Sequence, residues 1–206
     1  MVVPSPTLFR AAFGKFRLNN KPFLRAQLRR ARRDHVAGLP ASVSALVFSR
    51  PPQAVVGLAG PVVGLYHAVG AEAPARAYAK WFSENGRVIA LPWFADAEAP
   101  MQFRQWVDPY DDASLVSDPF GARQPAADAP LVEPDTLFVP LVGFTPAGHR
   151  LGQGGGHYDR YLAAHRDVVA MGLAWDCQRV EEIPAEEHDV PLRAVITPTR
   201  LYGDLG

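Results

Sequence analysis

The chain has 206 residues, 48% of them hydrophobic and 20% charged, a composition that supports one substantial globular core and argues against a disordered chain. Lys and Arg number 21 and so do Asp and Glu, and this balance disfavours a general nucleic-acid binder. The lone Cys177 excludes an intrachain disulfide, no apolar run reaches the roughly 20 residues that cross a bilayer, and no signal-peptide core precedes residue 20, so the expectation is a cytoplasmic protein with no membrane partner.

Residues 1–19 show little periodicity and read as an N-terminal extension; residues 20–206 read as a single domain. A helix is expected from Asn20, which suits the cap, with Pro22 in the first turn. Leu24, Leu28 and Ala31 recur at helical spacing and mark its buried stripe. Lys21, Arg25, Arg29 and Arg32 form a neighbouring row of cations, within a segment from Arg10 to Arg33 that holds nine Lys/Arg and no acid. Such a row is ordinarily a solvated face. Set against an anion-binding loop, it would instead supply the positive side of a triphosphate clamp.

Residues 43–58 are ambiguous because Pro51 and Pro52 interrupt them. Strands are expected over 61–66, 87–91 and 102–107, and a helix over 74–84 that stops at Asn85-Gly86. Residues 108–134, rich in Pro, Asp and Ala, read as loop with short elements. Further strands are expected over 136–142, 168–174 and 194–197, with a helix over 159–165. Strands alternating with helices point to an α/β protein, three-layered with a mainly parallel sheet.

Between the strand at 136–142 and the helix at 159–165 lies Arg150-Leu-Gly-Gln-Gly-Gly-Gly-His-Tyr-Asp-Arg160, with four glycines in five residues. Glycine admits positive φ and carries no Cβ, so successive N–H groups can face an anion, and the helix behind adds its positive end. No Lys-Ser/Thr pair follows the glycines, which excludes a Walker A loop, and the position late in the chain is wrong for a dinucleotide fingerprint. Asp159 reads either as a helix-start residue or, with Asp189, as a magnesium ligand. Glu72, just after a strand, and Met101 read either as ordinary exposed and core residues or as parts of a ligand wall. No Cys/His metal spacing and no Gly-x-Ser-x-Gly elbow is present.

In order along the chain these pieces resemble the 5-formyltetrahydrofolate cyclo-ligase (methenyltetrahydrofolate synthetase) family. The resemblance rests on Lys21-Pro-Phe-Leu24-Arg25, Tyr66 to Glu72, Leu91-Pro92 with Met101-Gln-Phe103, Val139-Pro140 through Arg160, and Pro184-Ala-Glu186-Glu187-His188-Asp189. It implies a fold like that of the ribose-5-phosphate isomerase and CoA-transferase group. It also implies an ATP- and Mg²⁺-dependent closure of 5-formyltetrahydrofolate to 5,10-methenyltetrahydrofolate, with release of ADP and phosphate. Carried over by position, Lys21, Pro22, Phe23, Leu24 and Arg25 would bind ATP together with Arg150, Leu151, Gly152, Gln153, Gly154, Gly155, Gly156, His157 and Tyr158. His67, Glu72, Met101, Gln153, Gly154, Gly155, Gly156 and His157 would contact the folate. Asp159 and Asp189 would hold Mg²⁺, and Lys21 and Arg150 would neutralise the transferring phosphoryl group. ATP and reduced folate are then the partners, with the protein a monomer or weak homodimer.

The chain departs from the family pattern at Gln153 and His157, where tyrosine is frequent, and at Gly155, where some members have lysine. Thr145 and Gln124-Pro125 stand where Asp and Glu-Pro are common. Two other readings stay open: a diverged ligase acting on another formyl or carboxyl compound, and a non-catalytic folate- or nucleotide-binding protein.

Overall fold

The structure is a computed structural model that describes residues 20–44, 46–184, 186 and 189–203. The expected extension at 1–19, and Glu187 and His188 of the late acidic segment, lie outside the described residues. In chain order the elements are α1 (Lys21–Ala37), α2 (Ala41–Ser44), α3 (Gln53–Leu58), β1 (Val62–Gly64), α4 (Arg76–Glu84), β2 (Val88–Trp93), β3 (Gln102–Gln105), β4 (Leu115–Ser117), β5 (Arg123–Pro125), β6 (Thr136–Pro140), β7 (Gly143–Phe144), β8 (Arg150–Leu151), α5 (His157–Ala164), β9 (Val169–Leu173), β10 (Ala194–Ile196) and β11 (Leu201–Tyr202).

A parallel sheet covered on both faces needs strands that are apolar, and of the strands here β1, β2, β9 and β10 are, as is β6 after Thr136. Seven of them form one sheet in the order β11-β10-β9-β6-β1-β2-β3. The five central strands run parallel, and the two edge strands, β3 and β11, run antiparallel to their neighbours. Side chains alternate between two cores. Phe138, Ile89 and Leu91 meet Tyr78, Ala79 and Phe82 of α4 and Val55 of α3. Leu137, Val139 and Ala90 meet Tyr161 and Leu162 of α5 on the other face. The sheet is thus mixed, mainly parallel and flanked by helices.

α1 starts where the Asn20 side chain accepts from the Phe23 N–H at 3.2 Å. It docks on the β7–β8 hairpin through a third, smaller core in which Leu28 meets Val142, Leu151 and Ile183, with Leu24 half-buried at its edge. Gly143 makes this close approach possible, because a Cβ there would stand 2.5 Å from Leu28 Cδ1.

Two expectations are corrected, and one ambiguous stretch is resolved. The strand at 136–142 ends at Pro140, and the short hairpin β7–β8 stands between it and the glycine loop. The following helix starts at His157 rather than Asp159, with Gly156 as its cap in the left-handed region at φ 65°. Among its described residues, the ambiguous stretch 43–58 resolves into the end of α2, a turn over 46–48, and α3.

Candidate active site

From β1 the chain moves to β2 on one side; from β6, which pairs with the other side of β1, it moves outward to β9. The crevice left at the carboxyl ends of such diverging strands is where open α/β sheets take ligands. A cavity of about 540 Å³ lies there, lined by Tyr66, His67 and Glu72 after β1, Pro92 and Phe94 from β2 onward, and Pro140 at the end of β6. Met101, Asp118 and Phe120 add to the wall, and Arg150 with residues of the glycine loop through Asp159 closes it.

The glycine loop and the cation row of α1 meet. Arg25 Nε donates to the Gly152 carbonyl at 2.9 Å, and Arg29 Nη2 to the Gln153 carbonyl at 2.9 Å. The loop is therefore held by its carbonyls. No backbone carbonyl takes the N–H groups of Gly152 to Gly156 among the described residues, which leaves these donors for a ligand.

Arg32 behaves differently from the rest of its row. It is buried, donates to the Leu141 carbonyl at 3.3 Å, and stands 4.0 Å from Glu72 Oε1. Burial lowers its pKa, with Glu72 opposing the shift. Its Nε is buried without a partner among the described residues. Glu72 itself is held by the Val69 N–H at 3.0 Å and by Gln153 Nε2 at 2.7 Å.

Arg150 lies beneath the loop, its side chain 4% exposed. It donates to the Val190 carbonyl at 2.6 Å and pairs with Asp159. Burial lowers its pKa, while Asp159 and then Asp189 work the other way. Asp189 also accepts from the Glu186 N–H at 2.8 Å and stands 3.4 Å from Lys21 Nζ, which reaches Glu186 at 3.0 Å. Both predicted metal carboxylates thus lie within the electrostatic reach of one guanidinium. Among the described residues no group of three or more His, Cys, Asp or Glu assembles a metal cage. Mg²⁺ is commonly held by one or two carboxylates with phosphate oxygens and waters. Asp159 and Asp189 already face Arg150 and Lys21, so a Mg²⁺ held here would take at most these two carboxylates and fill its shell with phosphate oxygens and waters.

Another part of the wall is aromatic. Phe94 and Phe120 each stand 5.0 Å from the His157 ring and 4.9 Å from one another. Gln124 clamps Phe94 through both its backbone groups, at 2.9 and 3.1 Å. Burial, then Arg160, lowers the His157 pKa, and Arg160 Nη2 lies 3.0 Å from Nδ1. A guanidinium only donates, so Nδ1 accepts and His157 is neutral with its proton on Nε2. Burial, then Glu72, raises the pKa of Tyr66 and of Tyr158, which keeps both phenols protonated as donors.

Among the other predicted residues, His67 lines the cavity with Nε2 3.7 Å from Asp112 and Nδ1 buried without a partner among the described residues, and Met101 is buried in the wall. Pro22 and Phe23 are exposed at the start of α1, whereas Leu24 and Leu151 pack in the third core. Sequence reasoning placed Arg32 in the cation row of a triphosphate clamp, and the structure seats it on the cavity beside Glu72; Asp118 and Phe120 it did not single out. The only available signal for Arg32 was its place on the same helix face as Arg25 and Arg29.

Residues 17–198 match the 5-formyltetrahydrofolate cyclo-ligase family. The chain belongs to this family. The span matched to the cyclo-ligase family takes in the whole cavity wall, from Arg32 to Asp159. Two relatives named 5-formyltetrahydrofolate cyclo-ligase illustrate the likeness. The one from Escherichia coli K12 is 41% identical over 99 residues, 45% of this chain and 54% of that one. The one from Mycolicibacterium smegmatis is 33% identical over 150 residues, 69% of this chain and 76% of that one. The alignments to the E. coli and Haemophilus influenzae cyclo-ligases span about half the length of those relatives, at 54% and 46%. Among solved structures, the 5,10-methenyltetrahydrofolate synthetase of Mycoplasma pneumoniae superposes with a TM-score of 0.62 at 21% identity, covering 86% of this chain and 98% of that one. That of Aquifex aeolicus has a TM-score of 0.56 at 23% identity, covering 91% and 87%. At these identities the likeness to the two structures is one of fold.

Proposed function

We propose that this chain catalyses the ATP- and Mg²⁺-dependent cyclisation of 5-formyltetrahydrofolate to 5,10-methenyltetrahydrofolate, releasing ADP and phosphate. The observation that carries the reading is one cavity, in a chain of this family, lined together by an arginine-held glycine loop, by Glu72 and by the rings of Phe94 and Phe120. The sheet is assigned, as part of the same proposal, to the ribose-5-phosphate isomerase and CoA-transferase group; its mainly parallel order supports this.

In this reading the triphosphate lies on the free N–H groups of the loop, with Arg150 and Lys21 supplying positive charge. The reduced folate lies among Phe94, Phe120, His157 and Met101, with Glu72 and His67 facing its polar edge. Asp159 and Asp189 would hold Mg²⁺, which neutralises phosphate charge when bound. The formyl oxygen attacks the γ-phosphorus, an O–P bond forms, and the bond to ADP breaks. The neighbouring folate nitrogen then adds to the activated carbon, loses its proton, and phosphate departs with the former formyl oxygen. No protein nucleophile is needed. The chain contributes in-line positioning, charge neutralisation and exclusion of water from the activated intermediate.

The test is incubation with 5-formyltetrahydrofolate, ATP and Mg²⁺ while methenyl absorbance is followed. ATP-dependent growth of that absorbance is the expected result. Its absence refutes the proposal, and ATP turnover with some other formyl or carboxyl compound would identify a diverged ligase instead.

A further inference from the structure

Gln153 is an exposed residue on a glycine loop, yet its side chain is engaged at both ends. Its Oε1 accepts from Arg29 Nε at 3.1 Å and Nη2 at 2.7 Å, and its Nε2 donates to Glu72 Oε1 at 2.7 Å. A guanidinium can only donate and a carboxylate can only accept, so the amide has one permitted orientation between them. The Gln153 carbonyl is held by the same Arg29. This one residue therefore connects α1, the loop that faces the nucleotide, and the carboxylate on the folate side of the cavity.

We propose that Gln153 is a positioning residue that couples the two substrate sites, so that nucleotide on the loop strengthens reduced-folate binding at Glu72 and the reverse. The inference rests on the function proposed above. Its sign follows from the exposure of the loop. Solvent competes for the Gln153 bonds in the free protein, and phosphates seated on the loop N–H groups fix its backbone. The amide is then already ordered when folate engages Glu72, so the second ligand meets a smaller ordering cost. Linkage requires the same factor in both directions.

The experiment measures the dissociation constant of 5-formyltetrahydrofolate with and without a non-hydrolysable ATP analogue plus Mg²⁺, for the full chain and for Gln153→Ala and Arg29→Ala. In the unaltered chain the analogue is expected to tighten folate binding about fivefold or more, within the usual span of coupling between sites. In both variants the ratio is expected to fall toward one, whatever each separate affinity becomes. A role confined to holding the loop in shape would weaken the separate affinities and leave their ratio intact. A ratio of one in the unaltered chain, or an unchanged ratio in Gln153→Ala, overturns the coupling and leaves the proposed function standing. An unaltered chain that binds neither ligand overturns both.

Discussion

Replacing Arg150 by Met removes a buried cation while keeping most of its volume. Two losses follow. The charge-assisted bond to Asp159 contributes about 1.5–3 kcal/mol, and the Val190 carbonyl, half-buried, loses a donor for about 1 kcal/mol. Part of this returns, because the guanidinium no longer has to be desolvated, the effect that lowers its pKa in the folded chain. The balance is a destabilisation of about 3 kcal/mol. With a urea m-value of about 2–3 kcal/mol per molar, the unfolding midpoint should fall by roughly 1 M at unchanged m. Asp159→Asn should also destabilise, because it leaves Arg150 facing a neutral amide. The double variant Arg150→Met/Asp159→Asn should be more stable than the sum of the two effects implies, by about 1–2 kcal/mol. Urea unfolding of the four proteins gives this cycle directly. Additivity within about 0.5 kcal/mol would show that the pair is not coupled in solution and would refute the reasoning.

His157→Phe tests the half-buried imidazole. Its pKa lies below the ordinary value of 6.5 because burial, and then Arg160, disfavour the charged form. Below that value the unfolded chain takes up a proton that the folded chain resists. The stability this group contributes is thus complete above the unfolded pKa and is lost as pH falls through the folded one. Between pH 7 and pH 5 the unfolding midpoint of His157→Phe should decline less steeply than that of the unaltered chain, and equal slopes would contradict the assignment. Gly143→Ala should drive Leu28 out of its seat, since the new methyl would lie 2.5 Å from Cδ1. The expected cost is about 1–3 kcal/mol, with faster amide exchange in α1 than in the central strands; equal exchange would place α1 docking elsewhere.

The central sheet was legible because runs such as Thr136–Pro140 and Val169–Leu173 are apolar, the first of them after Thr136, and flanked by turn residues, the pattern of strands buried on both faces. The start of α1 was legible from a single cap. By contrast, β7, β8 and β11 have two residues each, too few for any period to register. Their existence depends on α1 and on neighbouring strands closing over them. At the site, glycine spacing exposed the loop, but the role of Arg32 depends on Leu141 and Glu72, distant in sequence. Phe120 sits at the tip of the β4–β5 hairpin in a stretch that composition marks only as loop, and nothing local tells that its ring meets His157.

The bonds that hold the glycine loop join residues 127 and 124 positions apart, and the contact of Lys21 with Asp189 spans 168. α1 is therefore among the first described segments to leave the ribosome, and the partners of its Lys21, Arg25 and Arg29 follow only 124 to 168 residues later. At roughly 5–20 residues per second, that wait is on the order of ten seconds or more. A 17-residue helix alone in water is marginal, so α1 spends the interval largely unstructured. The parallel core can begin to assemble during synthesis, but the glycine-loop end of the cavity takes shape only when the two distant parts of the chain meet. A nascent chain halted before Arg150 would have much of the sheet's sequence and none of the glycine loop.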